Sequence, residues 1–355
     1  MRVLCPSKIT FSRRTAMTPY EPTSSPWEID AEAFPVDRPL EDKLRFLLGY
    51  AALAPSSHNS EPWKFAVEGN RVRLFADTSR WLKVADADKR ELYVSLGCAL
   101  ENLLVAAEHF GLGHTTRYMP ESSDETLAAV VEFSASGESS DVRSAEHFEA
   151  IKVRQTNHQP YDRTPVTDEE VVALAACVAE DDVELRLFAD EAKRQRIEEL
   201  TLRADALQFA DPEWRRELGH WIGEGAFGNS WLMAKISKFA VTYLDMGKGT
   251  AKTDARAFES APIFAFICSN DHDRRAQIRC GQVFERIWLE AAALGLAMQP
   301  MNQVLQLPEL KEELISSLEF TDQVPQVAFR LGHAEREEKR SPRRPVSEVL
   351  IASNQ

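Results

Sequence analysis

Apolar residues recur every three to four positions in several stretches of the chain and alternate with polar residues in others. The first spacing indicates amphipathic helices and the second indicates half-buried strands. Together they predict helices over 41–54, 89–111, 167–179, 190–208, 229–245, 274–295 and 308–317. They predict strands over 64–67, 71–76, 115–119, 129–133, 183–188, 261–268, 298–302 and 325–331. Helices and strands mix without regular alternation, which favours an α+β fold over a doubly wound parallel sheet.

Two of the helical stretches resemble each other. Residues 97–112 align without gaps on residues 281–296, and the identical pairs include Gly97 with Gly281 and Glu101 with Glu285. The strand residues 72–77 and 185–190 form a second similar pair upstream. Two pairs in the same order indicate an internal duplication. We therefore predict two halves, residues 38–133 and 145–355, joined by a polar hinge at 134–144.

The two halves differ in length between these paired segments. The second half carries an extra helical stretch of roughly seventy residues, which we place at about 200–258. This stretch is rich in aromatic residues, namely Trp214, Trp221, Phe227, Trp231, Phe239 and Tyr243. A long insertion of this kind usually covers a site or forms an interface. The alternative is that its aromatic residues pack a small core of their own.

Composition narrows the class of protein. The chain has 355 residues, of which 44% are hydrophobic and 28% charged, and this is typical of a soluble globular protein. A formal net charge of −14 argues against nucleic acid and anionic membranes as partners. The apolar run at 261–268 is too short to span a membrane.

The N-terminus and the cysteines bear on location. Residues 1–37 are predicted to form a loosely ordered arm in which Met17 is an alternative start to Met1. No apolar signal-peptide core follows its Arg13-Arg14 pair, so we predict a cytoplasmic protein. The five cysteines are widely spaced, which predicts reduced, buried thiols and no metal site.

Three segments carry candidate chemistry. Residues 54–65 read Ala-Pro-Ser-Ser-His-Asn-Ser-Glu-Pro-Trp-Lys-Phe and join the first predicted helix to the first strand. Serine and asparagine at a helix end can hydrogen-bond a polar ligand. Arg154, Thr156 and His158 lie ahead of a helix that starts at the capping box Thr167–Glu170. Together with the basic tail at 339–345, these guanidinium and hydroxyl groups suit a phosphate.

These segments resemble the nitroreductase family over roughly residues 40–350. Residues 55–63 match the family pattern Pro-Ser-Ser-x-Asn-x-Gln-Pro-Trp, except that Glu61 replaces the glutamine. Residues 154–158 match its Arg-x-Ser-x-Arg/Lys opening, with His158 in the last position. Residues 293–303 match its Gly-Leu strand that ends at a proline and a loop, and the tail matches its Arg-x-Pro ending. The chain is most similar to the fused, single-chain group that includes the mycobacterial dormancy-regulated proteins.

The resemblance implies a nitroreductase-like α+β fold, with two degenerate repeats fused into one pseudo-dimer and a helical lid inserted in the second half. It implies an FMN-dependent oxidoreductase that takes hydride from NADH or NADPH and passes it to a nitroaromatic, a quinone or a similar small-molecule acceptor. The flavin carries the chemistry, so no catalytic side chain is assigned. The implied flavin-binding residues are Pro55, Ser56, Ser57, Asn59, Glu61, Arg154, Thr156, His158, Pro300, Met301, Asn302, Gln303, Arg340 and Arg343.

Several alternatives stay open at this point. Glu61 could accept a hydrogen bond from flavin N3–H or cap the turn at Trp63. The chain could store or sequester FMN with little turnover, or it could be an interaction protein without flavin. Gly223 to Gly228 fit G-x-G-x-x-G, but they follow a helix-like stretch, and we interpret them as the hinge of a lid. A dimer fused in one chain would allow the protein to act as a monomer.

Overall fold

The computed structural model describes residues 25–137, 139–162, 164–228, 256, 258–337 and 340–352. They form two four-stranded antiparallel sheets. The first sheet has the order β1-β2-β4-β3 and consists of β1 (Trp63–Glu68), β2 (Arg71–Ala76), β3 (Gly113–Tyr118) and β4 (Leu127–Ser134). The second has the order β5-β6-β8-β7 and consists of β5 (Val183–Phe188), β6 (Ile263–Ser269), β7 (Ala297–Pro300) and β8 (Val324–Gly332). The predicted α+β class is confirmed.

The helices surround and separate these sheets. They are α1 (Leu40–Ala51), α2 (Arg90–His109), α3 (Ala145–Ile151), α4 (Asp168–Ala176), α5 (Glu191–Ala210), α6 (Pro212–Gly223), α7 (Arg274–Ala293), α8 (Gln303–Gln306), α9 (Pro308–Ser317) and α10 (Val346–Val349). Most predicted elements lie within a few residues of these bounds. Helices α3, α6, α8 and α10 were not predicted, because α3, α8 and α10 are short and α6 is rich in charged residues. The helix predicted at 229–245 lies outside the described residues.

The long helices α2 and α7 cross at the centre of the molecule. Along the chain α2 connects β2 to β3, and α7 connects β6 to β7. In both sheets these are the second and fourth strands in sheet order. At the crossing Gly97 and Gly281 face each other. A Cβ atom on Gly97 would lie 2.0 Å from the carbonyl oxygen of Ile278, and one on Gly281 would lie 2.1 Å from that of Val94. Ile278 and Val94 each precede the opposite glycine by three residues, so the contact is nearly two-fold symmetric. This symmetry supports the duplication inferred from residues 97–112 and 281–296.

The second pair of similar segments does not mark equivalent strands. Residues 72–77 belong mainly to β2, an inner strand, whereas residues 185–190 overlap β5, an edge strand. In sheet order β5 corresponds to β1, and β2 corresponds to β6. This part of the predicted alignment was therefore wrong. A short alternating apolar segment fits any half-buried strand, so the similarity carried no positional information.

The correspondence of β1 with β5 and of β2 with β6 places the insertion between β5 and β6. The tight turn at Gly69–Asn70 joins β1 to β2, whereas residues 189–262 join β5 to β6. Its described part includes α5 and α6. Trp214 and Trp221 of α6 pack with Leu82 and Ala85 of the first half, so these two tryptophans do not pack a core made only of the insertion. Trp231, Phe239 and Tyr243 lie outside the described residues.

The C-terminal tail crosses from the second half to the first. Leu350 forms a parallel bridge with Phe65 of β1, and the Ile351 N–H donates to the Phe65 carbonyl at 2.8 Å. Residues 340–345 reach that edge by passing over the loop that follows α1. Trp27 lies against this tail, with its Nε1–H donating to the Ser341 carbonyl at 3.0 Å. No helix in the described part of the chain has the length and apolar character needed to cross a membrane.

Candidate functional site

The loop after α1 has a strained backbone. His58, Asn59 and Glu61 all have positive φ angles, of 51°, 50° and 48°. Such angles cost free energy in residues other than glycine and persist only where surrounding contacts enforce them. One such contact is internal, because the Ser56 hydroxyl oxygen accepts the Glu61 N–H at 2.8 Å. The predicted ligand-binding loop is therefore held in one specific conformation.

Asn59 connects this loop to two distant parts of the chain. Its Nδ2 donates to the Pro342 carbonyl at 3.0 Å and to the Ala226 carbonyl at 2.9 Å. Its Oδ1 accepts from Arg343 Nη1 at 2.7 Å. The first-half loop, the end of α6 and the C-terminal tail consequently meet at one side chain.

Arg154 and Arg343 converge on the carbonyl of Leu53, at the end of α1. Arg154 Nη2 donates to this oxygen at 3.1 Å, and Arg343 Nη2 donates at 3.3 Å. The Nε atoms of both arginines are buried, and no hydrogen-bond acceptor for them lies among the described residues. Arg154 Nε is 3.2 Å from Glu285 Oε1, in an ion pair whose geometry is poor for a hydrogen bond. Two guanidinium groups that share one carbonyl leave donors for an anion.

The charges of this group perturb one another. Burial lowers the pKa of Arg343 to about 10; the Arg154 charge acts in the same direction, while Glu61 and Glu285 oppose it. Burial also raises the pKa of Glu61, against the opposing charges of Arg343 and Arg344. A second anion near these arginines would restore the pKa of Arg343.

Glu61 has a partner in the tail. Its Oε2 accepts the Arg344 N–H at 2.9 Å, and its own carbonyl accepts from Arg344 Nη1 at 3.1 Å. The carboxylate therefore braces the tail against the loop. This arrangement differs from both roles left open for Glu61 in the sequence, and it places the charge beside Arg343.

Thr156 and His158 lie farther along the segment that begins at Arg154. Thr156 forms a parallel bridge with Met298 of β7, which places the segment beside the second sheet. His158 is exposed, and its Nδ1 pairs with Gln299 Nε2 at 3.1 Å. The structure thus groups Thr156 and His158 with β7, while Arg154 lies with the loop and the tail.

The segment after β7 holds Met301, Asn302 and Gln303, and the family resemblance implies that a backbone N–H of this loop donates to the flavin. The Met301 N–H donates to the Ala328 carbonyl at 2.8 Å, and its side chain is buried in a hydrophobic cluster. Asn302 Oδ1 accepts the Ala328 N–H at 2.8 Å. The N–H of Met301 is consequently used within the sheet, and Asn302 and Gln303 are the remaining candidates to donate to a flavin.

A hydrogen-bond chain links this segment to the first-half loop. The Ser57 hydroxyl donates to Glu91 Oε2 of α2, and Gln306 Nε2 of α8 donates to Glu91 Oε1 at 2.7 Å. Gln208 Nε2 of α5 in turn donates to Gln306 Oε1 at 2.5 Å. Glu91 is buried and was not singled out in the sequence. It holds the Pro55–Asn59 loop at a fixed position relative to the helix that follows Pro300.

The two remaining tail arginines differ from Arg343. Arg340 is exposed and its guanidinium lies 4.9 Å from the centre of the Trp27 ring. Arg344 donates its backbone N–H and its guanidinium to Glu61. Of the arginines in the tail, Arg343 therefore shares the site with Arg154, and Arg340 lies on the outer side.

Aromatic residues near the start of α6 and just past its end cover the loop. The His58 ring lies 6.3 Å from the rings of both Trp214 and Phe227. Burial lowers the pKa of His58, against the charges of Glu91 and Glu217. Glu217 anchors α6 by accepting the N–H groups of Val84 and Ala85 at 2.9–3.2 Å. These contacts favour the first interpretation of the insertion, as an element that covers a site.

A cluster of one histidine, one cysteine and one glutamate lies away from the arginine site. His147, Cys177 and Glu290 bring potential metal-ligand atoms within 4.8 Å of one another. His147 Nε2 and Glu290 Oε2 are 2.8 Å apart and hydrogen-bonded. Burial, and then the Glu290 charge, raise the pKa of the Cys177 thiol to about 12. A neutral thiol beside a paired histidine and glutamate accounts for this packing without a metal ion.

Sequence comparisons give the relationship of the chain to known proteins. The family model described as Nitroreductase family matches residues 151–333. The Mycobacterium tuberculosis protein named as an NAD(P)H nitroreductase, acg, is 27% identical over 322 residues, covering 87% of this chain and 95% of the relative. Another from that organism, Rv3131, is 28% identical over 323 residues, covering 88% and 92%. Both carry the nitroreductase name provisionally.

Solved structures give weaker matches. The FMN-dependent nitroreductase NfnB of Mycobacterium smegmatis, in complex with NADPH, is 17% identical and covers 57% of this chain and 96% of its own, with a TM-score of 0.41. A nitroreductase with bound FMN from Bacteroides fragilis is 18% identical and covers 56% and 95%, with a TM-score of 0.35. These scores are too low to bear on the arrangement of the present fold.

Proposed function

The chain belongs to the nitroreductase family, and we propose that it is an FMN-dependent NAD(P)H oxidoreductase whose flavin binds between its two halves. Relatives with matching length are named as NAD(P)H nitroreductases. The proposal goes beyond family membership in assigning the cofactor, its position and the residues that hold it.

The observation that carries the proposal is the convergence of Arg154 and Arg343 on the Leu53 carbonyl. Both guanidinium groups keep a buried Nε–H that makes no hydrogen bond of good geometry among the described residues, although that of Arg154 lies 3.2 Å from Glu285 Oε1. Buried donors without partners are costly, and a phosphate oxygen would satisfy them. The FMN phosphate therefore fits this position, and the strained Ser56–Asn59 loop lies directly beside it.

The remaining residues would complete the binding site. Bound FMN would supply the redox chemistry, accepting hydride from NADH or NADPH and passing it to a nitroaromatic, quinone or similar acceptor. Pro55, Ser56, Ser57 and Asn59 would contact its polar atoms, and Asn302 or Gln303 would donate a backbone N–H. Trp214 of α6 and Phe227 beyond its end would exclude water from the loop side. No protein side chain needs to act as a nucleophile.

The visible absorption spectrum of the purified protein tests this proposal. We expect a flavin spectrum that bleaches when NADPH or NADH is added without oxygen, and whichever nucleotide bleaches it faster is the preferred reductant. Return of the colour on addition of a quinone would identify an acceptor class. A protein that stays colourless after incubation with FMN would contradict the proposal.

A second candidate function is FMN storage or sequestration with little turnover. Its support is the way the tail and α6 close over the loop, since Asn59 bonds both Pro342 and Ala226. A closed site would bind flavin but exclude nicotinamide. A yellow protein that neither nucleotide bleaches would favour this function over the first.

We also propose that the chain acts as a monomer. Its two sheets have equivalent strand orders and pack around one crossing of α2 and α7, so one chain contains both halves of the site. Light scattering should give a mass near 40.0 kDa. A mass twice as large would contradict this proposal without affecting the cofactor assignment.

A further inference from the structure

Glu285 is a buried carboxylate that lies beside Arg154 and Arg343. It lies in α7 at the position that corresponds to Glu101 in α2, and its side chain is fully buried. Among the described residues, neither carboxylate oxygen has a hydrogen bond of good geometry, although Arg154 Nε is only 3.2 Å from Oε1. The Asn102 amide donates to the Tyr50 carbonyl at 3.3 Å and lies close enough to Glu285 to lower the pKa of its carboxyl.

The titratable groups that face Glu285 come from three directions. Arg154 approaches from the segment after α3, Arg343 from the C-terminal tail, and Glu101 and Cys98 from α2. Burial raises the pKa of Glu285 to about 7, against the charges of Arg154 and Arg343, and Glu101 adds to the increase. Burial also raises the pKa of Cys98, which is therefore a neutral thiol. Glu285 is thus poised to exchange a proton near neutral pH.

The equivalent residue Glu101 has a different environment. Arg143 donates to it through Nε at 2.8 Å and Nη2 at 3.0 Å, and Arg286 donates through Nε at 2.8 Å. Gln282 adds a hydrogen bond at 3.0 Å. These partners lower the pKa of Glu101 despite its burial. The glutamate of the first half is therefore permanently ionised and satisfied, whereas that of the second half is not.

This contrast points to a role for Glu285 in cofactor binding. Arg154 would have to serve both the Glu285 carboxylate and a phosphate if both carried charge at once. Two anions that share one guanidinium repel each other in a buried site, and the weaker acid takes up a proton. A protonated Glu285 would release Arg154 to the phosphate and keep the buried charge balanced.

We propose that Glu285 compensates the charge of the bound cofactor phosphate by switching between an ionised and a protonated state. Without phosphate it is the counter-ion of Arg154; when phosphate binds to Arg154 and Arg343, Glu285 takes up one proton from solvent. No other bond is made or broken. The inference rests on the proposed FMN site and adds a proton to its binding equilibrium.

The consequence is a specific pH dependence. Below about pH 7 Glu285 already holds its proton, and FMN binding requires none. Above that pH each unit should weaken FMN binding by up to about tenfold, since one proton must be taken up per phosphate bound. The FMN phosphate itself titrates near pH 6, so the range from about pH 7 to pH 8.5 isolates the effect of the protein.

The experiment compares FMN dissociation constants of apoprotein and the Glu285→Gln variant across this range. Flavin fluorescence reports binding, and calorimetry in two buffers of different ionisation enthalpy reports protons taken up. We expect the wild type to lose affinity with rising pH and to take up close to one proton at the upper end. Glu285→Gln should bind FMN with little pH dependence and no proton uptake. Riboflavin, which lacks the phosphate, should show no such dependence with either protein.

Glu290→Gln is the matched control, because Glu290 lies in the same helix but pairs with His147. It should behave as the wild type. Equal pH slopes for wild type and Glu285→Gln, or the absence of proton uptake by the wild type, would overturn the inference while leaving FMN binding intact. Failure of both proteins to bind FMN at every pH would instead overturn the proposed function. Should Glu285→Gln fold poorly, proton uptake by the wild type alone decides.

Discussion

At the scale of single residues, neighbouring arginines make different contacts. The tail presents Arg340, Arg343 and Arg344 close together in sequence. Arg340 and Arg343 both lie over the Trp27 ring, but of these two only Arg343 donates to the Leu53 carbonyl, and Arg344 pairs with Glu61. The family resemblance favoured Arg343 over Arg340 but kept both, because a basic tail by itself carries no information about which side chains point inward. Glu285 also escaped prediction as a site residue, although its identity with Glu101 in the repeat was visible.

The different contacts of the arginines can be tested by substitution. Arg154→Ala and Arg343→Ala should each weaken FMN binding by roughly ten- to a hundredfold, because a hydrogen bond to a charged group contributes about 1.5–3 kcal/mol. Arg340→Ala should change the affinity by less than about threefold, since this side chain is exposed. Fluorescence titration of FMN measures all three constants.

Arg340→Ala is also the control for the net charge of the tail. Equal losses in Arg340→Ala and Arg343→Ala would mean that only general attraction to the basic tail matters, contrary to the assigned site. Thermal unfolding without FMN should accompany the titrations, because Arg343→Ala also removes the contacts to Asn59 and Leu53.

At the scale of elements, the crossing of α2 and α7 organises the molecule. The glycines at 97 and 281 allow the two helix backbones to touch, and this closeness brings Glu101 within reach of Arg286 across the crossing. Sequence similarity identified these helices correctly because their pattern extends over sixteen aligned positions. The short strand segments were aligned wrongly because six residues of alternating pattern are not distinctive.

Alanine at the crossing should therefore destabilise the protein. Glycine to alanine inside a helix normally gains about 1 kcal/mol, but here the new Cβ would overlap a carbonyl oxygen of the partner helix. We expect Gly97→Ala and Gly281→Ala each to lower the free energy of unfolding by about 1–3 kcal/mol or more. Urea unfolding provides the measurement.

Gly49→Ala in α1 is the matched control. Its Cβ would approach the terminal Cδ1 atom of Ile29 at 2.5 Å, and a side-chain end can move aside. We expect its free energy of unfolding to stay within about 1 kcal/mol of the wild type. If all three variants were equally stable, the helices would not require close backbone contact.

At the scale of the whole molecule, the two halves are interlocked and unequal. The tail of the second half extends the first sheet at β1, and the insertion of the second half packs on the first through α6. The Pro55–Asn59 loop, Arg154 and Arg343 meet beside Glu285. Glu101 is the counterpart of Glu285 in the first half, and the arginines that surround it, Arg143 and Arg286, are already paired with it.

The difference between the surroundings of Glu285 and those of Glu101 predicts how much flavin each chain binds. We expect one FMN per chain rather than two, because every guanidinium nitrogen of Arg143 and Arg286, the arginines that face Glu101, already has a hydrogen-bond partner. Flavin absorbance after denaturation, divided by protein concentration, measures the ratio in samples saturated with FMN. Arg154→Ala should lower occupancy at limiting FMN, and a ratio near two in the wild type would contradict a single site.

The sequence by itself determined what depends on local pattern: most helices and strands, the α+β class, the duplicated central helices and the family motifs. The tertiary structure decided which motif residues share a site. Leu53, Arg154 and Arg343 are far apart along the chain, and their convergence depends on how α1, α3 and the tail pack. The tertiary structure also decided the pKa of Glu285. Glu101 and Glu285 are equivalent in the repeated helices, but their pKa values shift in opposite directions because folding brings them different partners.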